Sequence, residues 1–426
     1  PKPGPNGFHW ANGVRLYYAN LTSSLTGSTK KTESGFKGFE AIAVSRTDNV
    51  AAAAANNSNA WKAPVIATRQ ASTTFSDHEQ ITVDDAEQTS PYFGNTYVCF
   101  AMFRSAASSP EPIAVARSTD GGDTWTTRQI SQATNNTQTV GRQDCNIRTD
   151  SRGVVYVVWE GGYNKRLAVL LARSFDGGKT FERPRPIGFF DEVGIFDPNN
   201  ETLSFDGLAG TRTSAIPWID IANGSPTGTN ATDEIVVSWN DGPTPSDTNP
   251  APNERVEIAY SANRGQTFTT ATANAAESGD RPDFPAVGIS PNGGAVFLVY
   301  MAFHEPWQST TADPRLMEGV VRRANSPGMS APAAWTTVHR GATGDARGSS
   351  TNSLASGFLG DYNNVDVGQG LAYAVWNDVR NAADCPVIDA YRQSLSTDDP
   401  LPRPAPNDDC PATFGNSDIY GAGFPV

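Results

Sequence analysis

The stretch Ser118-Thr119-Asp120-Gly121-Gly122-Asp123-Thr124-Trp125 decides the fold, because its pattern returns later in the chain. Residues 174–181 repeat it cleanly, and residues 261–268 repeat it in a degenerate form, with Asn263 at the Asp position. The Asp side chain can bond to its own backbone, and the following Gly provides the positive φ of a tight turn. Each copy follows an apolar run, so each is predicted to be the turn of a β-hairpin.

A second element repeats together with this turn. It is an apolar strand, preceded in most copies by another strand that begins with charged residues. Its copies are Arg15–Asn20, Thr96–Phe100, Val154–Glu160, Glu234–Asp241, Val296–Tyr300 and Leu371–Asp378. The repeating unit is therefore four antiparallel strands, and it occurs about six times. We expect one all-β domain over residues 1–426, a six-bladed β-propeller of four-stranded antiparallel blades, with seven blades as the alternative.

The turn pattern S-x-D-x-G-x-T-W/F resembles the Asp box of the sialidase (neuraminidase) superfamily, the β-propellers with BNR repeats. This resemblance implies a glycoside hydrolase that removes terminal acidic sugars from glycans. Members of the family clamp the substrate carboxylate with three arginines. They use a Tyr nucleophile polarised by a Glu, with an Asp as the general acid. The chain lacks the F/Y-R-I-P motif that supplies the first arginine in that family.

Antiparallel strand order predicts where the chemistry lies. The first strand of a unit begins, and the second ends, at the face opposite the repeated turn. There the resemblance implies Arg142, Arg212 and Arg281 as carboxylate ligands. It implies Tyr362 as nucleophile, Glu160 as its partner and Asp77 as acid. Further candidates on this face are His78, Glu79, Asp144, Asp283, Asp361 and Asp378.

Two other functions stay open. A histidine near Tyr362 and an arginine would also suit a uronate-directed polysaccharide lyase, in which a base removes a proton beside the carboxylate. A propeller can also bind glycans or proteins without catalysis, since fold does not dictate function.

The composition narrows the choice of partner. The net charge of −13 disfavours nucleic acid, which needs a basic surface. No apolar run is long enough to span a membrane. We expect a monomer whose partner is a glycan. No cofactor is predicted, although the acidic loops Asp398–Asp399 and Asn407–Asp409 could hold a structural calcium ion.

The four cysteines suggest a compartment. Their spacings fit no zinc motif. We expect Cys99 to bridge to Cys145 and Cys385 to Cys410, the second bridge closing an inserted loop at about residues 385–410 of the last blade. Paired cysteines are typical of an oxidising environment, so the chain is predicted to be secreted.

Overall fold

The computed structural model describes residues 1–25, 39–71, 74–104, 110–133, 142–197, 202–204, 214–242, 254–305, 313–326, 334–360, 362–395 and 397–426. This part of the chain is almost entirely β. Its three α-helices are short: α1 (Val50–Ala54), α2 (Pro386–Ser394) and α3 (Pro406–Asp409). Over the same ranges, no helix has the length and apolar character needed to cross a bilayer.

Apart from two small hairpins, the described strands form six antiparallel sheets that follow one another along the chain. A small hairpin of β1 (Lys2–Gly4) and β2 (Gly7–His9) precedes sheet 1, which contains β3 (Leu16–Leu25), β4 (Phe39–Thr47) and β5 (Lys62–Arg69). Sheet 2 contains β6 (Thr74–Val83), β7 (Thr96–Arg104), β8 (Ile113–Ser118) and β9 (Thr126–Gln129). Sheet 3 contains β10 (Gln143–Thr149), β11 (Val155–Tyr163), β12 (Arg166–Ser174) and β13 (Arg185–Phe189).

A second hairpin, β14 (Ile195–Asp197) and β15 (Thr202–Ser204), leads into sheet 4. Sheet 4 contains β16 (Trp218–Ile221), β17 (Ile235–Asp241), β18 (Arg255–Ser261) and β19 (Thr269–Thr272). Sheet 5 contains β20 (Arg281–Ile289), β21 (Ala295–Phe303), β22 (Leu316–Asn325), β23 (Thr336–Arg340) and the short β24 (Gly344–Asp345). Sheet 6 contains β25 (Asn364–Val367), β26 (Leu371–Asp378) and β27 (Asp418–Pro425).

The repeated turns join the third and fourth strands of sheets 2, 3 and 4, as predicted. In the first, Ser118 Oγ accepts from Gly122 N at 2.9 Å, and Asp120 Oδ1 accepts from Thr124 N at 2.9 Å. The second copy makes the same bonds through Ser174 and Asp176. In the third, Asn263 Oδ1 accepts from Thr267 N at 2.9 Å. The degenerate copy thus keeps the turn, because an amide oxygen accepts as a carboxylate does.

Hydrophobic clusters hold each sheet against the next. One cluster lies between sheets 1 and 2, another between sheets 2 and 3, and a third between sheets 3 and 4; the largest joins sheets 4, 5 and 6. Along β11, Val155, Val157 and Trp159 face sheet 2, whereas Tyr156 and Val158 face sheet 4. This burial on both faces is the pattern that stacked sheets require. The all-β prediction is confirmed, and the arrangement is consistent with a propeller.

Arginines connect neighbouring sheets at the repeated turns. Arg117 of sheet 2 donates to Gly177 O at 3.1 Å, and Arg173 of sheet 3 donates to Arg264 O at 2.8 Å. Arg15, just before sheet 1, donates to Gly121 O at 2.9 Å. Each acceptor is a main-chain carbonyl in the repeated turn of the following sheet.

Both predicted disulfides are present. Cys99 of β7 joins Cys145 of β10 and so connects sheets 2 and 3. Cys385 joins Cys410 and closes the helical insertion between β26 and β27. Two such bridges are typical of proteins from an oxidising compartment.

Candidate active site

The end of the sheets opposite the repeated turns, here called the site face, carries a recurring irregularity. The first strands of sheets 2, 3 and 5 each contain a register shift, between Asp77 and Gln80, Gln143 and Asn146, and Asp283 and Ala286. A residue with positive φ lies in each shift: His78 at 55°, Asp144 at 56° and Phe284 at 52°. A β-bulge of this kind interrupts the regular alternation and re-aims a side chain. Non-glycine residues rarely adopt this conformation, and where they do it often serves function.

Two of the bulges bring His78 and Asp144 together, beside Tyr362, which lies just before β25. His78 Nδ1 lies 2.7 Å from Asp144 Oδ1. The Tyr362 ring stands perpendicular to the imidazole, with centroids 4.6 Å apart. His78 is buried, whereas Tyr362 is 44% exposed and can meet a substrate. Because Nδ1 faces the carboxylate, proton transfer to a substrate would use Nε2.

Ser214 links Asp144 to Glu160. Its hydroxyl contacts Asp144 Oδ2 and lies 3.1 Å from Glu160 Oε2, which also accepts from Ala215 N. One hydroxyl has one proton to donate, so one of the two carboxyl groups must supply its own. Burial, followed by the charges of Asp144 and Glu192, raises the pKa of Glu160 well above its usual value. The direction of this shift favours the protonated form of Glu160.

Glu192 extends this acidic cluster. Burial and then the charge of Asp144 raise the pKa of Glu192 to about 7. Neither Ser214 nor Glu192 was identified from the sequence. Ser214 lies just before β16, the first strand of sheet 4. The corresponding position in the other sheets carries predicted site residues, and this correspondence was the signal that could have identified Ser214. Glu192 lies in the connection after β13, which no repeat marks.

Asp77 and Glu79 lie on either side of His78 but belong to a separate group with Glu40. Asp77 Oδ1 accepts from His78 N at 2.9 Å, and Glu79 accepts from Leu21 N at 3.1 Å. Burial raises the pKa of Glu79, and it raises that of Glu40 to about 8 with help from the charges of Asp77 and Glu79.

Asp283 and Asp378 are buried at the same end and have local partners. Asp283 Oδ1 accepts from Phe284 N at 3.0 Å and is bonded by Asn240. Asp378 pairs with Arg380 at 2.6 Å. Both contacts stabilise the ends of strands.

The structure places two of the three predicted arginines. Arg142 packs beside Gly161, its Cγ 3.3 Å from where a Cβ would stand, and donates to Gln132 O at 3.0 Å. Arg281 is buried in a two-pronged pair with Glu254, at 2.7 and 3.2 Å. Of these two, Arg142 adjoins the strand end that carries Glu160. Arg212 and Asp361 lie outside the described residues.

A cavity of about 720 Å³ lies between the sheets, away from the site face. All six sheets contribute to its lining, through Tyr17, Ile81, Thr149, Asp220, Ile289 and Val367 among others. None of the predicted site residues that the structure describes lines it. In the described ranges, no group of three or more His, Cys, Asp or Glu side chains could hold a metal ion.

The chain has no close match among known proteins. No family model matches the chain, and neither does any curated protein. Among solved structures, an ulvan lyase of polysaccharide lyase family PL25, bound to -[GlcA(1-4)Rha3S]-, aligns with 80% of this chain and 78% of its own at 10% identity and a TM-score of 0.42. The intramolecular trans-sialidase from Ruminococcus gnavus aligns with 70% of this chain and 56% of its own at 15% identity and a TM-score of 0.38.

A structure described as a glycoside hydrolase aligns with 71% of this chain and 84% of its own, at 15% identity and a TM-score of 0.33. All three are therefore distant similarities.

Proposed function

We propose that this protein is a secreted, six-bladed β-propeller enzyme that cleaves acidic polysaccharides by elimination beside a uronate carboxylate. One observation carries the proposal: the buried imidazole of His78 is held by Asp144 on one side and packs against the exposed ring of Tyr362 on the other. Six blades are favoured because six successive sheets contribute to the cavity between the sheets. The two disulfides support secretion.

In this mechanism His78 is the base. Its Nε2 removes the proton at C5 of the uronate, next to the carboxylate, and the electron pair forms the C4–C5 double bond. The C4–O bond breaks, and the Tyr362 hydroxyl protonates the departing oxygen. The proton on His78 can then return to Tyr362, because the two rings are in contact. Water is not consumed, and one product carries an unsaturated uronate.

The charges around His78 suit this reaction. Asp144 stabilises the imidazolium that forms when His78 takes the proton. Arg142 is the proposed partner of the substrate carboxylate. The raised pKa values of Glu160 and Glu192 lower the negative charge of the cluster near neutral pH, so an anionic substrate is repelled less.

A sialidase-like glycosidase that removes terminal acidic sugars is the second candidate. The exposure of Tyr362 favours it, because that reaction uses a tyrosine nucleophile. Glu160 would then polarise Tyr362, and Asp77 would be the acid. This candidate ranks second because Glu160 is already engaged by Ser214 and Ala215 N, and because its raised pKa disfavours the ionised form. Polarising a tyrosine requires an ionised carboxylate.

The test is an assay of the purified protein on polygalacturonate, alginate and hyaluronate, with a fluorogenic sialoside in parallel. We expect ultraviolet absorbance from an unsaturated uronate, and product masses without added water. Tyr362→Phe should lower kcat about 10²–10⁴-fold. Tyr373→Phe is the matched control, since Tyr373 is similarly exposed on sheet 6. Release of sialic acid would establish the second candidate, and glycan binding without turnover would overturn both.

A further inference from the structure

The connections that follow β3, β7, β11, β17, β21 and β26 in sequence differ in length. Five of them span residues 26–38, 105–112, 242–254, 304–315 and 379–417, whereas in sheet 3 Asn164 and Lys165 alone join β11 to β12. Both residues have positive φ, at 51° and 66°, which matches a tight two-residue hairpin turn. Sheet 3 therefore has the shortest of these six connections, and a chain-like substrate can leave the site over it.

The strands of sheet 3 place a row of side chains along this exit. Tyr163 lies directly opposite Arg166, so the two share one side of the sheet. The guanidinium of Arg166 lies over the Phe189 ring, 4.1 Å from its centroid. Arg142, which immediately precedes the first strand, lies beside Gly161 on the same side, which faces sheet 2.

These four residues, Arg142, Tyr163, Arg166 and Phe189, are called the sheet-3 track. Tyr163, Arg166 and Phe189 lie on β11, β12 and β13, and Arg142 immediately precedes β10, so the row crosses the sheet from its first strand to its fourth. Neighbouring strands are about 4.8 Å apart, so the track is roughly 14 Å long. Gly161 has no side chain to interrupt it. Along β11, Tyr163 lies three residues, or roughly 10 Å, beyond Glu160.

The exposed half of the track is basic and aromatic in a protein with a net charge of −13. Tyr163 and Phe189 are 38% and 37% exposed. Elsewhere on the site face, Arg255, Arg281 and Arg380 are each paired with a carboxylate. Over the ranges the structure describes, no carboxylate pairs with Arg166 or with the neighbouring Lys165. A cation beside an exposed aromatic ring is a combination that can hold an anionic sugar, through charge and ring stacking.

We propose that the outer part of the sheet-3 track, formed by Tyr163, Arg166 and Phe189, is a distal subsite that binds the part of an anionic polysaccharide extending away from Arg142 and His78. This inference rests on the proposed function for its substrate class. The recognised chemistry is a repeating anionic group, either a carboxylate or a sulfate, on an extended sugar chain. Arg166 and Lys165 supply the charge, and Tyr163 and Phe189 supply the apolar surface.

The test measures binding without turnover, in a Tyr362→Phe background. Isothermal titration uses polygalacturonate as the carboxylated probe, dextran sulfate as the sulfated probe and dextran as the neutral probe. The double substitution Lys165→Ala and Arg166→Ala should weaken binding of at least one of the two anionic probes about tenfold. Tyr163→Ala should weaken it about fivefold. The matched control is Lys179→Ala with Arg183→Ala, two exposed cations near the opposite end of the same sheet, which should change little.

The outcomes separate the subsite from the reaction. Equal losses for the track and control variants would show unspecific charge attraction and overturn the subsite, as would no loss for either. Loss confined to dextran sulfate would identify sulfate as the recognised group. In the active protein, the track variants should raise KM for long polygalacturonate but not for a short oligomer, with kcat unchanged. If uronates are not cleaved while the track variants still lose affinity, the proposed reaction fails and the subsite stands.

Discussion

The two ends of the same sheets are built on opposite plans. At the turn end, sheets 2, 3 and 4 repeat one set of hydrogen bonds, and the residues that make them hardly vary. At the site end, three sheets repeat a backbone bulge, but its positive-φ residue is His78, Asp144 or Phe284. The turn end thus repeats both sequence and geometry, and the site end repeats geometry alone. A repeated backbone at the site end lets each sheet present a different side chain.

The largest expected effect lies at the site end. His78→Asn should lower turnover about 10²–10⁴-fold, because the proposed base is lost. Asparagine tolerates the positive φ of this position, so the fold should survive. Steady-state rates test the loss of turnover, and the free energy of unfolding in urea tests whether the fold survives. A variant that keeps full turnover would exclude His78 from the chemistry.

The two disulfides offer the next contrast. Removing either, as Cys99→Ala with Cys145→Ala or as Cys385→Ala with Cys410→Ala, should lower the free energy of unfolding by about 2–4 kcal/mol. Only the first should reduce turnover in protein that is still folded. Cys145 adjoins Asp144 in sequence, and its Sγ lies 3.6 Å from His78 O. Equal activity in the two variants would mean that the Cys99–Cys145 bridge does not position His78 and Asp144.

Smaller effects are expected at the turn end. Asp176→Ala should cost about 1–3 kcal/mol of unfolding free energy without changing turnover, because the turn loses several hydrogen bonds. Asp176→Asn should cost less, since Asn263 already serves in the third copy. Burial opposes ionisation of Asp176, but bonds from Thr180, Ser174 and Lys179 N outweigh it and hold the pKa at about 2.

The pH dependence of this contribution follows from that pKa. The pKa of Asp176 in the native state is below its ordinary value of 3.8, so this contribution to stability is present above that pH and is lost as the pH falls through about 2. Acid denaturation of the wild type beside Asp176→Asn measures it. A difference that persists unchanged below that range would contradict the assignment.

Glu192 should behave in the opposite sense and with the smallest effect. Its pKa rises from 4.5 to about 7 in the native state, so the folded protein binds more protons than the unfolded chain between these values. The contribution to stability is present below pH 4.5 and is lost as the pH rises through about 7. Glu192→Gln should therefore make stability fall less steeply over this range. Parallel urea titrations across these pH values would reveal it, and identical slopes would contradict it.

The turn end could be predicted from sequence because its interactions are local. Ser118, Asp120 and Thr124 bond within seven residues, so one short pattern contains the whole structure. The second strands were recognisable because burial on both faces leaves an unbroken apolar run. The two disulfide bridges predicted from the sequence are also the ones that the structure contains.

The site end was less predictable because its interactions connect distant residues. Ser214 contacts Asp144 and Glu160 across more than fifty positions, as a result of the bulge and of an irregular connection. Arg281 was expected to bind a substrate carboxylate, and the structure pairs it with Glu254. A sequence pattern gives the position of an arginine along its strand, but it does not give the acid that folds against it.

The arginines that connect neighbouring sheets have a consequence for how such repeats diverge. Each bonds to a peptide oxygen, which every amino acid possesses. Arg264 therefore replaces a glycine of the intact copies, and the hydrogen bond from Arg173 of the preceding sheet is kept. Mutations can therefore remove the recognisable residues of a repeat without breaking the hydrogen bond that connects the neighbouring sheets. Worn copies in other chains should accordingly be sought through the basic residue on the preceding sheet as well as through the turn itself.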